Sequence, residues 1–152
     1  MPFAIREFGP EDFETLWRID QECFPPGIAY SRTELKWYIR HRHAFTLLAD
    51  GGAQGTGGFI VAHAGQAGGH IITIDVVPAA RRSGVGSLLL LSAEERLYGI
   101  GARMVGLETA VDNLGALTFY KRHGYSVVRT WPRYYSNGVD ALVLKKELTA
   151  VG

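Results

Sequence analysis

The sequence ITIDVVPAARRSGVGSLLLL, residues 72–91, decides the fold because it combines a strand, a tight turn and a helix. The β-branched run from Ile71 to Val77 predicts a buried strand, and Pro78 ends it because proline has no N–H for a ladder. Apolar residues at helical spacing then predict a helix that starts near Gly84. The stretch therefore predicts a strand–turn–helix unit at the centre of the domain.

The turn in this unit has the features of a phosphate-binding site. Its glycines allow the backbone to approach a ligand closely. The first amide groups of the following helix lack internal partners, and the helix dipole adds partial positive charge. Two arginines add full charges, so we predict a pyrophosphate site here. The predicted contacts are Arg81, Arg82, Ser83, Gly84, Val85, Gly86 and Ser87.

The identity of the phosphate ligand follows from what the turn lacks. A dinucleotide fingerprint would need a third glycine where Leu89 stands, and a nucleotide-triphosphate loop would need a lysine. The remaining pattern, Arg-x-x-Gly-x-Gly after a Val-x-Pro strand end, resembles the acetyl-CoA-binding motif of the GNAT superfamily of N-acetyltransferases. An ordinary turn with solvated arginines is the alternative, and the flanking strand and helix favour the ligand site.

Composition limits the possible classes of protein. The 152 residues fit a single domain, 1–152, and 47% hydrophobic with 20% charged residues is typical of a globular protein. A net charge of +1 gives no electrostatic reason to predict nucleic acid or membrane as a partner. The single cysteine, Cys23, excludes an internal disulfide, and no histidine spacing indicates a metal site. We see no signal peptide and predict a cytoplasmic protein.

The rest of the chain is predicted to alternate strands and helices in an α+β domain. Strands are expected at residues 3–8, 44–49, 58–64, 104–109, 125–131 and 139–145, and helices at 9–23, 31–41 and 113–123. Ser31 and Glu34 form a capping-box pattern at the start of the second helix. Because a helix joins strand 71–77 to strand 104–109, those two strands should be parallel in a mixed, mostly antiparallel sheet.

Three further motifs extend the resemblance over nearly the whole chain. Leu107-Glu-Thr is followed by Asn113 and Ala116, and a Phe-Tyr pair at 119–120 precedes Gly124-Tyr125. The tail RYYSNGVDA, residues 133–141, is similar to that of the RimI-type alanine acetyltransferases, which modify the α-amine of ribosomal and other proteins. The resemblance implies the GNAT fold, with helices flanking the sheet and one parallel βαβ unit at the CoA site.

The resemblance also assigns roles around acetyl-CoA, which would be the cosubstrate. A bulge in the central strand is expected to free the amides of Val76 and Val77 for the pantetheine arm and the thioester carbonyl. Asn113 either hydrogen-bonds the pantetheine arm or caps its own helix. Tyr120 is the candidate general acid for the departing thiolate, and a buried core tyrosine is the alternative.

The acceptor amine is expected to meet Glu108, the candidate general base, at the end of the strand that separates from the cofactor strand. Asp75 is a second candidate for this role, because a carboxylate among β-branched residues is unusual. Tyr30, Tyr134 and Tyr135 are expected to form the walls of the acceptor groove, with aromatic packing of the loops as the alternative. The predicted acceptor is a protein N-terminus or a small amine, and a non-catalytic acyl-CoA-binding module is a further alternative. The acyl chain and the oligomeric state stay open.

Overall fold

A computed structural model describes residues 3–150, and within them seven strands form one sheet covered by four helices. The strands are β1 (Ala4–Glu7), β2 (Ala44–Asp50), β3 (Thr56–Gly65), β4 (Gly68–Val76), β5 (Met104–Ala110), β6 (Ser126–Trp131) and β7 (Ala141–Glu147). The helices are α1 (Phe13–Cys23), α2 (Arg32–Arg40), α3 (Val85–Ile100) and α4 (Leu114–Arg122). The ends of the predicted domain, residues 1–2 and 151–152, lie outside the described part.

The helix ends follow from local capping chemistry. Ser31 and Glu34 form the predicted capping box at the start of α2: the Ser31 hydroxyl accepts from the Glu34 N–H, and the Glu34 carboxylate accepts from the Ser31 N–H. Helix α3 lies between two glycines with left-handed backbone, Gly84 at φ 86° and Gly101 at φ 115°. The helix predicted from the glycine turn is therefore confirmed, and so is its sharp start.

The sheet has the order β1-β2-β3-β4-β5-β7-β6. Its neighbouring strands are antiparallel except for β4 and β5, which are parallel and joined through α3. This arrangement confirms the predicted α+β class and the single parallel βαβ unit. Since β4 is the strand before the glycine turn, the phosphate-binding turn lies at the end of a central strand.

The pairing of β4 with β5 is interrupted after two positions. Only Gly69 with Val105 and His70 with Gly106 are paired, whereas β5 continues alongside β7 over its whole length. On its other side, β4 carries a bulge: Thr73 pairs with Val61 and Ile71 with Ala62, so Ile72 is an extra residue in the ladder. β4 therefore turns away from β5 and leaves a gap between the two strands, as the resemblance implied.

Two apolar cores pack on opposite faces of the sheet. Helix α3 buries Leu89, Leu90 and Leu97 on one face, where α4 also packs. Helices α1 and α2 bury Leu16, Ile19 and Leu35 against Leu48, Phe59 and Val61 of β2 and β3 on the other face. Gly58 of β3 lies so close to the Asp75 carbonyl that a side chain would not fit there. Both cores thus hold β4 firmly while its free edge borders the gap.

Candidate active site

Backbone groups at the end of β4 point into the gap between β4 and β5. The Val77 N–H donates to the Gly57 carbonyl at 3.0 Å, so the prediction that this amide is free for a ligand is wrong. Because backbone groups alternate between the two sides of a strand, the groups of Val76 point away from β3 and toward the gap. The Val76 carbonyl accepts from Nε of Arg81 at 3.1 Å. The Val76 N–H is the better candidate to bind a carbonyl oxygen.

The glycine turn presents unused amides at the start of α3. The first backbone hydrogen bond of the helix runs from the Leu88 N–H to the Gly84 carbonyl, so the N–H groups of residues 85–87 have no helical acceptor. Left-handed backbone at Arg82 (φ 67°) and Gly84 (φ 86°) shapes the turn so that these amides converge. The turn can therefore bind an anion at the positive end of a 16-residue helix.

The polar side chains of the turn have different surroundings. Arg82 is exposed, and no hydrogen bond within residues 3–150 involves its guanidinium. Arg81 instead contacts the end of β4, where its Nη2 also lies 3.7 Å from Sγ of Cys23. Ser83 donates to the Ala80 carbonyl, and Ser87 shares a 2.9 Å hydrogen bond with Nε2 of His123. Arg82 is thus the side chain best placed to meet a phosphate. Ser87 offers its backbone amide, whereas the Ser83 N–H donates to the Ala80 carbonyl at 3.3 Å.

Asn113 has the structural role that was one of its two predicted possibilities. Its Oδ1 accepts a 3.2 Å hydrogen bond from the Ala116 N–H and caps α4. Its side-chain amide group is not used by this cap. The contact with a pantetheine arm therefore stays a prediction that is compatible with the cap.

Tyr120 lies on α4 in a densely aromatic environment. Its side chain is 6% exposed, and its ring lies 5.3 Å from that of Phe119 and 5.6 Å from that of Tyr125, between centroids. Burial raises the pKa of the Tyr120 phenol above its usual value, with smaller contributions from the charge of Asp75 and from Tyr135. The phenol thus keeps its proton at neutral pH, which a general acid requires.

Glu108 lies on β5 two residues beyond the last pair with β4. Its Oε1 is 2.8 Å from Nε2 of His70, and the two side chains are 15% and 37% exposed. His70 can reach it because its partner in the ladder is Gly106, which has no side chain to intervene. The carboxylate is therefore oriented by a hydrogen bond, and its second oxygen is available to an incoming group.

Tyrosines from two segments lie near the carboxylate of Glu108. They are Tyr38 of α2 and the pair Tyr134 and Tyr135 in the loop between β6 and β7. Burial raises the pKa of each phenol, and the nearby charge of Glu108 raises it further. Tyr30, in the loop between α1 and α2, packs on Tyr38 with ring centroids 5.1 Å apart. The predicted wall residues thus come together around the predicted base.

The two loops that supply this wall are held to each other. The Ser136 hydroxyl donates to the Gly27 carbonyl at 3.0 Å, and Nδ2 of Asn137 donates to the Pro26 carbonyl at 3.4 Å. These contacts join the loop between α1 and α2 to the loop between β6 and β7. We call them the loop clasp.

Two residues of this site were missed in the sequence. They are His70 and Tyr38, which no motif in the sequence marks as part of the site. Their common signal is proximity to Glu108, which only the strand register and the loop positions reveal. Asp75, the second candidate base, is 1% exposed: it is buried beside Phe59 in the core formed with α1 and α2 rather than at the surface of the groove.

Within residues 3–150, no group of three or more His, Cys, Asp or Glu side chains is arranged to hold a metal ion. The same part of the chain contains no helix with the length and apolar character needed to cross a membrane.

Comparisons with known proteins identify the family. The model of the acetyltransferase (GNAT) family matches residues 13–125. An uncharacterised N-acetyltransferase of Methanocaldococcus jannaschii is 31% identical over 150 residues, covering 97% of this chain and 94% of that protein. An N-alpha-acetyltransferase of Sulfurisphaera tokodaii is 33% identical over 81 residues, about half of each chain (53% and 48%). The crystal structure of Ard1 from Thermoplasma volcanium is 27% identical with a TM-score of 0.87, covering 99% of this chain and 100% of that one.

Proposed function

The chain belongs to the acetyltransferase (GNAT) family of N-acetyltransferases, and from this premise we propose that it acetylates the N-terminal α-amine of a protein, with acetyl-CoA as donor. The observation that carries the proposal is the carboxylate of Glu108, held by His70 and surrounded by tyrosines beside the β4–β5 gap. The relative named N-alpha-acetyltransferase supports the choice of acceptor.

The residues present fit acetyl-CoA, which would supply an acetyl group as a reactive thioester. The amides of residues 85–87 and the guanidinium of Arg82 would bind the pyrophosphate. The unused side-chain amide of Asn113 would donate to the pantetheine arm. The gap beside β4 would hold that arm in the place of a neighbouring strand, using the Val76 N–H.

The chain's own residues would then carry out three tasks. Glu108 accepts a proton from the acceptor amine, either directly or through one water. The Val76 N–H donates to the carbonyl oxygen on which negative charge develops as the amine attacks. Tyr120 donates its phenolic proton to the sulfur as the carbon–sulfur bond breaks. Glu108 then releases its proton to solvent and Tyr120 takes one up from solvent, so both side chains return to their starting states.

The proposed base suits an α-amine better than a lysine. An α-amine titrates near 7.7–8.0 and a lysine near 10.4, so about a tenth of an α-amine is already neutral at pH 7. Neutralising a lysine costs roughly 3 kcal/mol more, at about 1.36 kcal/mol per pKa unit. A single carboxylate oriented by one histidine is adequate for the smaller of these tasks.

The acceptor is tested by a rate comparison between two peptides. One carries a free α-amine and no lysine, and the other has the same sequence with an acetylated N-terminus and one internal lysine. We expect the first to be acetylated at least about 100-fold faster at pH 7, because the roughly 3 kcal/mol difference in deprotonation corresponds to about two decades. Thiol release from acetyl-CoA, confirmed by mass spectrometry of the peptide, measures both rates.

The opposite results would reassign the protein. Faster acetylation of the lysine peptide would indicate a lysine acetyltransferase. Activity confined to polyamines, amino acids or aminoglycosides would place it among GNAT enzymes of small amines. Binding of acetyl-CoA with no transfer to any amine would indicate a non-catalytic acyl-CoA-binding module.

Cofactor binding at the glycine turn is tested with a charge reversal. Arg82→Glu should raise the dissociation constant of CoA at least about tenfold, because a hydrogen bond to a charged group contributes about 1.5–3 kcal/mol. Arg42→Glu is the matched control: Arg42 is exposed just before β2, at the end of the sheet that is remote from the turn. Calorimetry that gives both variants the same CoA affinity would contradict the proposed pyrophosphate site.

A further inference from the structure

Two carboxyl groups lie buried together outside the groove around Glu108. Asp20 of α1 is 0% exposed and Asp75 of β4 is 1% exposed. They occupy the face of the sheet covered by α1 and α2, where Asp75 is the cross-strand neighbour of the buried Phe59. Burying two carboxylates in such a core is costly unless each charge is compensated or neutralised.

Each carboxyl has one oxygen with a donor and one without. Oδ1 of Asp75 accepts from the Thr73 hydroxyl at 2.5 Å, and Oδ2 of Asp20 accepts from the Tyr30 N–H at 2.7 Å. The other two oxygens, Oδ1 of Asp20 and Oδ2 of Asp75, are buried without a donor from the described residues. The two side chains are close enough for each to change the pKa of the other. A carboxyl proton on one of them supplies the donor that is lacking.

In the described part of the chain, no cation forms an ion pair with Asp20 or Asp75. The titratable groups that act on the pair are Glu34 of α2, the thiol of Cys23 on α1, and the phenols of Tyr30 and Tyr120. None of these carries positive charge. Arg81 lies nearby, but it contacts Sγ of Cys23 and the Val76 carbonyl. Burial raises the pKa of both carboxyls. Asp20 raises that of Asp75 further, whereas the contact with Asp75 lowers that of Asp20, so Asp75 has the more strongly raised pKa.

We propose that Asp20 and Asp75 share one proton, and that this hydrogen-bonded pair positions the acceptor wall against the cofactor strand. Asp20 holds the backbone of Tyr30, whose carbonyl also accepts from Nε1 of Trp17 and Nε2 of Gln21. Asp75 lies in β4 directly before Val76. The shared proton is thus the link between the loop that carries Tyr30 and the strand that borders the gap.

A second contact joins the same two segments, the loop that carries Tyr30 and strand β4. The Tyr30 hydroxyl lies 3.4 Å from the carbonyl of Ile72, the extra residue of the bulge. This contact is long and weak, so the carboxyl pair is the stronger connection. Without the proton, two adjacent negative charges would push Tyr30 away from β4 and widen the acceptor side of the groove.

The expected effect on the peptide KM rests on the proposed function. The shared proton itself can be observed without any enzymatic activity. Infrared spectroscopy of the folded protein at pH 7 should show the carbonyl stretch of a protonated carboxylic acid. Asp75→Asn should lack this band, because the introduced side-chain amide donates to Asp20 while its oxygen accepts from Thr73. Absence of the band in the unsubstituted protein would overturn the proposal.

The pair also predicts how stability depends on pH. The folded chain keeps a proton that the unfolded chain loses above the ordinary Asp pKa, because the folded pKa of Asp75 is raised. The stabilisation is complete below that ordinary value and declines as pH rises toward the folded pKa. Unfolding at pH 7 should therefore release about one proton more from the unsubstituted protein than from Asp75→Asn. Equal proton release would contradict a shared proton.

The positioning role is tested by acceptor kinetics with a conservative and a disruptive variant. Asp75→Asn keeps both hydrogen bonds, so its KM for the peptide should stay within about threefold of the original. Asp75→Leu leaves Oδ1 of Asp20 without a partner and should raise that KM at least about tenfold, since losing a hydrogen bond to a charged group costs about 1.5–3 kcal/mol. The KM for acetyl-CoA should change little in either variant.

Two outcomes separate the proposals from each other. An unchanged peptide KM in a folded Asp75→Leu would overturn the positioning role even if the infrared band is present. If that variant does not fold, Asp20→Ala, which removes both the partner of Asp75 and the acceptor of the Tyr30 N–H, replaces it in the same assay, with the same expected rise in the peptide KM. If no peptide is acetylated at all, the proposed function fails while the infrared and proton-release results still decide the shared proton.

Discussion

Tyr120→Phe is expected to lower kcat by about 10²–10⁴-fold, the range that general acid catalysis typically contributes. The substitution removes one hydroxyl and keeps the ring contacts with Phe119 and Tyr125. The affinity for CoA should change little, because the proposed pyrophosphate site is the glycine turn and not Tyr120. Steady-state rates with the best peptide acceptor, together with calorimetry of CoA, measure the two quantities separately.

Tyr125→Phe is the matched control for this variant. Tyr125 is also buried, but its hydroxyl donates to Oε2 of Glu94, a residue of α3, at 2.7 Å. Its loss should cost about 1–3 kcal/mol of unfolding free energy by leaving a buried acceptor unsatisfied, with kcat nearly unchanged. If both tyrosine variants keep kcat within a few-fold of the original, Tyr120 is a structural residue and the thiolate finds its proton elsewhere.

Glu108→Gln should reduce kcat/KM for the peptide about 10²-fold or more at pH 7, because an amide cannot accept the proton of the ammonium group. The loss should shrink as pH rises, since the neutral fraction of an α-amine increases about tenfold per pH unit until its pKa near 8. A pH profile of kcat/KM from about 6 to 9, on either side of that pKa, measures both effects.

Glu95→Gln makes the same change on the exposed surface of α3 and should leave this profile unaltered. A Glu108→Gln variant that is equally impaired at every pH would indicate that Glu108 helps to bind the acceptor but does not accept its proton. An unimpaired variant would remove the base from the proposed mechanism altogether.

The elements around the glycine turn could be predicted because local chemistry determines them. Pro78 ends a strand and Gly84 starts a helix by their own backbone restrictions, so no distant residue is needed to locate either boundary. The same holds for Ser31 and its capping box. The bulge and the separated strands followed only from the family resemblance, because a bulge depends on the partner strand rather than on the bulged residue.

The missed features depend on distant pairs. The role of His70 can be seen only from the strand register, which places it opposite Gly106 and brings Glu108 within reach. The sequence does not reveal that the Val77 N–H is hydrogen-bonded, because its acceptor, Gly57, lies in a different strand, β3. Asp75 was correctly recognised as an unusual buried charge, yet its partner Asp20 lies on a helix whose packing the sequence pattern does not specify.

The loop clasp has a consequence for how acceptor preference can change. Its hydrogen bonds join residues 109 and 111 positions apart, and Gly27 (φ 91°) lies against the Asn137 side chain so closely that a larger residue would displace it. The two loops are therefore structurally coupled, and a substitution in either loop alters the shape of the other. To give this protein the acceptor preference of a related enzyme, residues 24–30 and 132–140 would have to be exchanged together. A chimaera with only one exchanged loop would lose the hydrogen bonds between the loops.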